Sequence, residues 1–381
     1  MMFRPLILRL SAVFVLAAAM LPGRGLDLTF RGQFNAWLIG NIESALISQA
    51  GFQYIPELTL NREWGGGLTL DAVFSLDAGT TGEHRPDEKA AVTGDLEPYR
   101  LWTRLAGNRF EVRVGLQKIN FGSATLFRPL MWFDHIDPRD PLKRTRGVKG
   151  LLFRYYFPGN ANIWFWGLLG SRVTKGWETL PTPGGKIELG GRLQLPLPSG
   201  EAAFTYHHRH ADLSGTLEAP QAMPLGEHRF ALDCKLDVAV GLWFELAAIQ
   251  RDTNLPLLRH QRMWTVGTDY TFAWGNGLHV LAEYSQTAWA DRLFGSGEHT
   301  RILGLMMNYP IGLLDQVSGV YYWNPGQHNH YLWVNWQRTS DHWQFHFTLF
   351  LNPEAETRNP ARDPAAGFSG NGFRVMVVFN H

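Results

Sequence analysis

The residues of this chain best suited to do chemistry are arginines set at even spacings: Arg100 and Arg104, Arg109 and Arg113, then Arg154. Apolar residues fill the alternate positions, Leu101 and Leu105 in one segment and Phe110, Val112 and Val114 in the next. Successive side chains of an extended chain point to opposite faces, so the guanidinium groups share the face away from the apolar one. Rows of guanidinium groups lining a narrow, low-dielectric passage attract and orient anions. Acids hold the same phase in other segments, among them Asp71, Glu188, Asp233, Glu245, Asp269 and Glu283. A basic wall over residues 100–154 facing this more acidic remainder would set a transverse field. Aromatics in that phase, Trp102, Tyr156 and Trp243 among them, could stack on the apolar faces of sugar rings.

Other chemistries find less support. In His207-His208-Arg209-His210, alternation puts His208 and His210 on one face and His207 on the other, too few ligands for a built metal site. His328-Asn329-His330 lacks an acidic framework and reads as a loop or strand end. There is no Gly-x-Ser-x-Gly, no His-Glu-x-x-His and no phosphate-binding glycine loop. The outward-phase His208 and His228 have no serine that can be placed beside them. No catalytic residue, metal ligand or cofactor is expected.

The stretch from Gln117 to Pro141 breaks the alternation. It reads as a loop able to fold inward, with Arg128 and Arg139 as further constriction residues and Lys143, Arg144, Arg146 and Lys149 continuing its basic character. Asp137-Pro138 and Asp140-Pro141 each pair a helix-capping acid with a residue favoured at the first helical position. Asp134, Asp137 and Asp140 could also ligate a hard cation, but capping explains them more simply. Running into and along this stretch, Gly115-Leu116-Gln117-Lys118-Ile119-Asn120-Phe121-Gly122 is followed by Asp137-Pro138-Arg139-Asp140-Pro141. In these pieces the chain resembles porin-like and alginate-export-type outer-membrane channels, whose strands often run into a Gly-Gln-x-x-x-(Trp/Phe)-Gly element and then an Asn/Asp-Pro-x-Asp loop. The resemblance covers this segment and the general layout, and names no substrate. One departure is the carboxyl end, where Phe379 is followed by Asn380-His381 rather than closing on an aromatic.

The elements that must carry these residues are strands. Phe373, Val375, Val377 and Phe379 alternate with Arg374, and comparable segments of roughly ten residues recur along the chain. A face that is apolar, opposite one that is mixed or charged, repeated this way, is the pattern of a transmembrane β-barrel, because only helices or closed barrels satisfy every backbone polar group in lipid. The fold expected is all-β, a transmembrane antiparallel β-barrel of about 18 strands, with 16 the nearest alternative. Trp264, Tyr270, Trp274, Trp289, Tyr309 and Trp343 lie near segment ends, where aromatic girdles are expected. Long connections are expected over 77–95, 120–147, 175–185, 211–226 and 353–370.

Composition agrees. Charged residues are 18% of 381 and aromatics 13%, with 40 glycines; a soluble domain carries about 25% charged residues. Residues 1–25 read as a signal peptide: Arg4 and Arg9, an apolar core from Ser11 to Leu21, then Pro22-Gly23-Arg24-Gly25. The barrel is expected over 26–381, one domain. Removing residues 1–25 takes away three arginines and leaves 32 Lys+Arg against 34 Asp+Glu, which gives no reason to expect nucleic acid. The one cysteine, Cys234, excludes an intrachain disulfide and is expected to face lipid.

The function expected is passive passage of small hydrophilic solutes, anionic or sugar-like. The implied partners are outer-membrane lipid, those solutes and the barrel-assembly machinery. The competing expectation is a plugged structural or adhesion barrel that binds a partner through its extracellular loops.

Overall fold

Val375 shows how the strands sort their side chains: it is 40% exposed on the outer face, while its neighbours Met376 and Arg374 are buried on the inner one. The computed structural model describes residues 25–42, 48–84, 89–213, 224–253, 255, 258–353 and 370–381. The expected signal peptide up to residue 24 lies outside the described residues, as do most of 211–226 and 353–370.

Among the described residues, eighteen antiparallel strands form one closed sheet. The first six are β1 (Asp27–Asn41), β2 (Ser48–Trp64), β3 (Leu68–His84), β4 (Ala91–Ala106), β5 (Phe110–Gln117) and β6 (Val148–Tyr156). The next six are β7 (Asn162–Leu169), β8 (Ile187–Leu197), β9 (Gly200–Asp212), β10 (Pro224–Asp237), β11 (Gly241–Arg251) and β12 (His260–Phe272). The last six are β13 (Leu278–Ala290), β14 (Glu298–Ile311), β15 (Asp315–Asn324), β16 (Asn329–Ser340), β17 (Trp343–Leu351) and β18 (Asn371–Asn380). Each pairs with its sequence neighbours, and β1 pairs with β18 from Gln33↔Asn380 to Asn41↔Gly372, which closes the barrel. Closure leaves no unpaired edge, the condition for spanning lipid.

Connections are short at one end, as at 65–67, 107–109 and 198–199, and longer at the other, as periplasmic turns and extracellular loops are. The outer face presents Phe34, Leu38, Phe165, Leu193, Phe230 and Leu232, all at least 39% exposed; in a soluble protein a continuous apolar belt of this kind would be a liability. Cys234 shares the outward phase with Leu232, as expected.

Three expectations about elements need correction. The 77–95 connection is mostly strand: β3 runs to His84 and β4 starts at Ala91, pairing Gly79, Thr81 and Glu83 with Asp95, Thr93 and Ala91. The polar composition there marks a hairpin projecting beyond the apolar belt. Among the described residues there is no helix, so the Asp-Pro acids cap turns instead. Asp137 accepts a hydrogen bond from the Arg139 N–H (2.8 Å), and Asp140 accepts from the Leu142 and Arg144 N–H groups (3.2 Å each). Trp289 does not belong to a girdle, because it pairs with Gln261 and Glu298 in the inward phase.

Candidate functional site: the lumen and its inward loops

Residues 118–147, between β5 and β6, fold into the barrel and cross it. Ile119, Phe121, Leu130, Trp132 and Phe133 pack against Val148 and Leu152 of β6, Trp166 and Leu168 of β7, Ala231 of β10 and Ala247 of β11. Farther round the wall, Ala124 and Leu126 pack with Trp243, Leu281, Val320 and Tyr322. Two buried wall carboxylates hold this loop by its backbone. Glu283 accepts hydrogen bonds from the N–H groups of Thr125 (2.6 Å), Leu126 (2.9 Å) and Phe127 (2.7 Å), and from the Trp243 indole N–H (2.9 Å). Glu245 accepts from Ala124 (2.7 Å) and Leu130 (3.3 Å). The return limb carries Arg139, whose guanidinium lies 5.0 Å from the Trp333 ring centre. Burial alone would raise the Asp137 carboxyl, but the Arg139 guanidinium outweighs it and holds the group below the ordinary carboxylate range. Burial lowers the Lys118 ammonium, with Asp134 acting in the opposite direction.

A second connection, 170–186, also folds inward. The Trp177 indole N–H donates to the Pro129 carbonyl at 2.8 Å. Glu178 meets Arg229 (2.8 Å) and Arg209 (3.3 Å), and both of these guanidinium groups also reach Glu227, at 2.6 and 2.5 Å. Arg251 approaches the same Glu227 at 2.6 Å. Lys175 pairs with Glu188, which also faces His207 at 3.2 Å. Beside them Arg192 forks onto Asp233 at 2.6 and 2.8 Å. Alternation shows all four of these wall arginines, but they were not among the expected site residues.

The expected site residues separate into groups. Arg104, Arg113 and Arg154 come together through the strand registers, Arg104 opposite both Asp71 and Arg113, and Arg154 opposite Glu111. Arg104 binds Asp71 at 2.6 Å and Glu111 at 3.6 Å, and Arg113 and Arg154 reach Glu111 at 2.9 and 3.6 Å. Arg113 lies over Trp102 (4.7 Å) and Arg154 over Trp164 (3.8 Å). Three guanidinium groups thus share two carboxylates, and the Nε–H donors of Arg113 and Arg154 have no partner. The cluster sits near the short-turn end, below the inward loop.

The other arginines serve structure. Arg100 is buried and donates to the Thr145 carbonyl at 2.9 Å, tying down the end of the loop. Arg128 donates to Asp134 at 2.9 Å within the loop. Arg109 is exposed in the 107–109 turn, outside the wall. Of the stacking candidates, Trp102 lines the lumen beneath Arg113 and Tyr156 ends β6 at 40% exposure. Trp243 is buried with its N–H committed to Glu283, so it supports the loop. The acids of β8–β13 do not form a free acidic wall, because Glu188, Asp233, Glu245 and Glu283 are each engaged by a cation or by loop N–H groups.

No protein-family model matches this chain, and no curated protein matches it. Solved structures do. The chain is similar to OccK5 (OpdH) of Pseudomonas aeruginosa, at 12% identity over 93% of this chain and 98% of that one, with a TM-score of 0.56. It is similar to OccK7 (OpdD) of the same organism, at 11% identity over 94% and 99%, TM-score 0.56. A loop L8 deletion mutant of OmpT, an outer membrane protein of Vibrio cholerae, matches at 10% identity over 93% and 99%, TM-score 0.50. The fold is that of a porin-like outer-membrane β-barrel. The expected 18 strands of this porin-like barrel are those observed.

Proposed function

We propose that this porin-like barrel is an outer-membrane channel for passive diffusion of small hydrophilic solutes, with a preference for anionic or sugar-like ones. The observation that carries the reading is the Arg104–Arg113–Arg154 cluster, whose three partly exposed guanidinium groups keep a net positive charge against Asp71 and Glu111. Charge held in a narrow passage with low-dielectric walls concentrates counter-ions. The inward loop adds to it, since residues 118–147 hold six Lys and Arg against three Asp. Tyr156, 40% exposed at the end of β6, is left open to a sugar ring, whereas Trp102 and Trp164 each carry a guanidinium group over one face.

Single-channel current of the refolded protein in a planar bilayer under a salt gradient tests this. Discrete steps with an anion-favouring reversal potential are expected. Replacing Arg104, Arg113 and Arg154 together with glutamine should lower the anion-to-cation permeability ratio by a factor of about ten while conductance persists. An unchanged ratio would remove the cluster from the selectivity mechanism.

The plugged-barrel alternative draws on one observation: both inward loops and the two apolar clusters that they help to form occupy the lumen. Folded barrels that carry no current would establish it.

A further inference from the structure

The lumen leaves unused a polar patch on the outer face of β9–β14, which are successive neighbours in the sheet. Their registers set His208, His228, Gln250 and His260 in one row, each directly opposite the next. All four have the outward phase of Phe204, Leu232 and Val266. The next row toward the membrane centre places Arg262 and His299 on either side of Ala288, and the row after that places Trp264 and Arg301 on either side of Gln286. His208 lies 4.5 Å from His228 and 5.3 Å from His210, centroid to centroid. His228 Nδ1 meets the Tyr206 hydroxyl at 2.8 Å and Arg262 donates to the Gly295 carbonyl at 2.9 Å, while His299 and Arg301 are exposed.

These rows lie where the strands approach the longer connections, at the extracellular border of the apolar belt. At that level the flanking β8 presents Leu189, and β1 and β2 present Leu38 and Phe52. The acids nearest it, Asp212, Asp252 and Asp291, sit at or just past strand ends. Imidazole and guanidinium N–H groups all donate to phosphate oxygens. Whatever rests here must also be apolar below, against Phe204, Phe230, Leu232 and Leu246. At 4.7–4.9 Å between strands, His208 and His260 are about 14 Å apart, and Arg301 is about 10 Å farther. That span exceeds one phosphodiester.

We propose that this face of β9–β14 binds the headgroup of an outer-leaflet glycolipid carrying two phosphates on a sugar core, its acyl chains lying along the apolar rows beneath. The assignment rests on the outer-membrane placement proposed above.

The test is retention of lipid A by the detergent-purified, full-length barrel, read by native mass spectrometry against chemically dephosphorylated lipid A. At least tenfold preferential retention of the bisphosphorylated form is expected. It should be lost in the R262Q/R301Q variant and in H208Q/H228Q/H260Q. Equal retention of the two lipids by the wild-type protein overturns the proposal without any variant having to fold, and so does an undiminished preference in both variants. Currents recorded from the same preparations separate the two readings. Retention without current removes the channel alone, and current without retention removes the lipid site alone.

Discussion

Glu283 is the residue at which the lumen is organised, because three successive backbone N–H groups and an indole N–H converge on it. Hydrogen bonds to a charged acceptor contribute about 1.5–3 kcal/mol each when the alternative is a buried unpaired donor. Glu283→Gln should therefore loosen residues 124–130 without opening the barrel, seen as faster amide hydrogen exchange confined to that segment and as noisier single-channel current. Unchanged exchange there would show that apolar packing alone holds the loop. The sequence exposes the phase of Glu245 and Glu283 and so places them in the lumen. It does not disclose their partners, since a backbone N–H leaves no trace in residue type. Arg100 was misread for a related reason: alternation gives the face, but its neighbour is the Thr145 carbonyl of a loop folded in from 45 residues away. By contrast, the inward phase of Arg104, Arg113 and Arg154 was legible from alternation, and the 107–109 turn sets Arg104 opposite Arg113. No turn sets the register of Arg154 across the long 118–147 connection.

At the scale of elements, strands were readable and loops were not. Each strand must be apolar toward lipid and is free to vary inward, which stamps a period of two on the sequence. The inward course of 118–147 and 170–186 depends instead on contacts across the lumen. Those two segments meet at Gly176, whose φ is +50° and where an added Cβ would stand 1.7 Å from the Met131 carbonyl oxygen. Backbone cannot yield there as a flexible side chain could. Gly176→Ala should part the two loops, leaving the barrel folded but raising its conductance. An unaltered current amplitude would place the narrowest point elsewhere. The Asp77–Asp95 region shows the converse failure, where polar residues suggested a loop although Gly, Thr and Val continue the pairing beyond the membrane.

For the molecule as a whole, the proposed selectivity rests on the summed field of the arginines rather than on single contacts. A field from partly exposed groups is screened over about 10 Å at 0.1 M salt and about 3 Å at 1 M. The proposed anion preference should accordingly shrink across that range, while the Arg104, Arg113 and Arg154 triple variant stays flat. A preference that persists at high salt would point to direct binding at the cluster. A consequence of a different kind follows from the pairing of β1 with β18. The hydrogen bonds that complete the wall join the earliest strand to the latest, so no shorter run of strands is a finished object. Until β18 is delivered, β1 and β17 remain bare edges, open to pairing with any other chain. The apolar belt is equally uncovered during that interval. The order of the strands thus makes an interrupted chain an aggregation hazard rather than a smaller barrel.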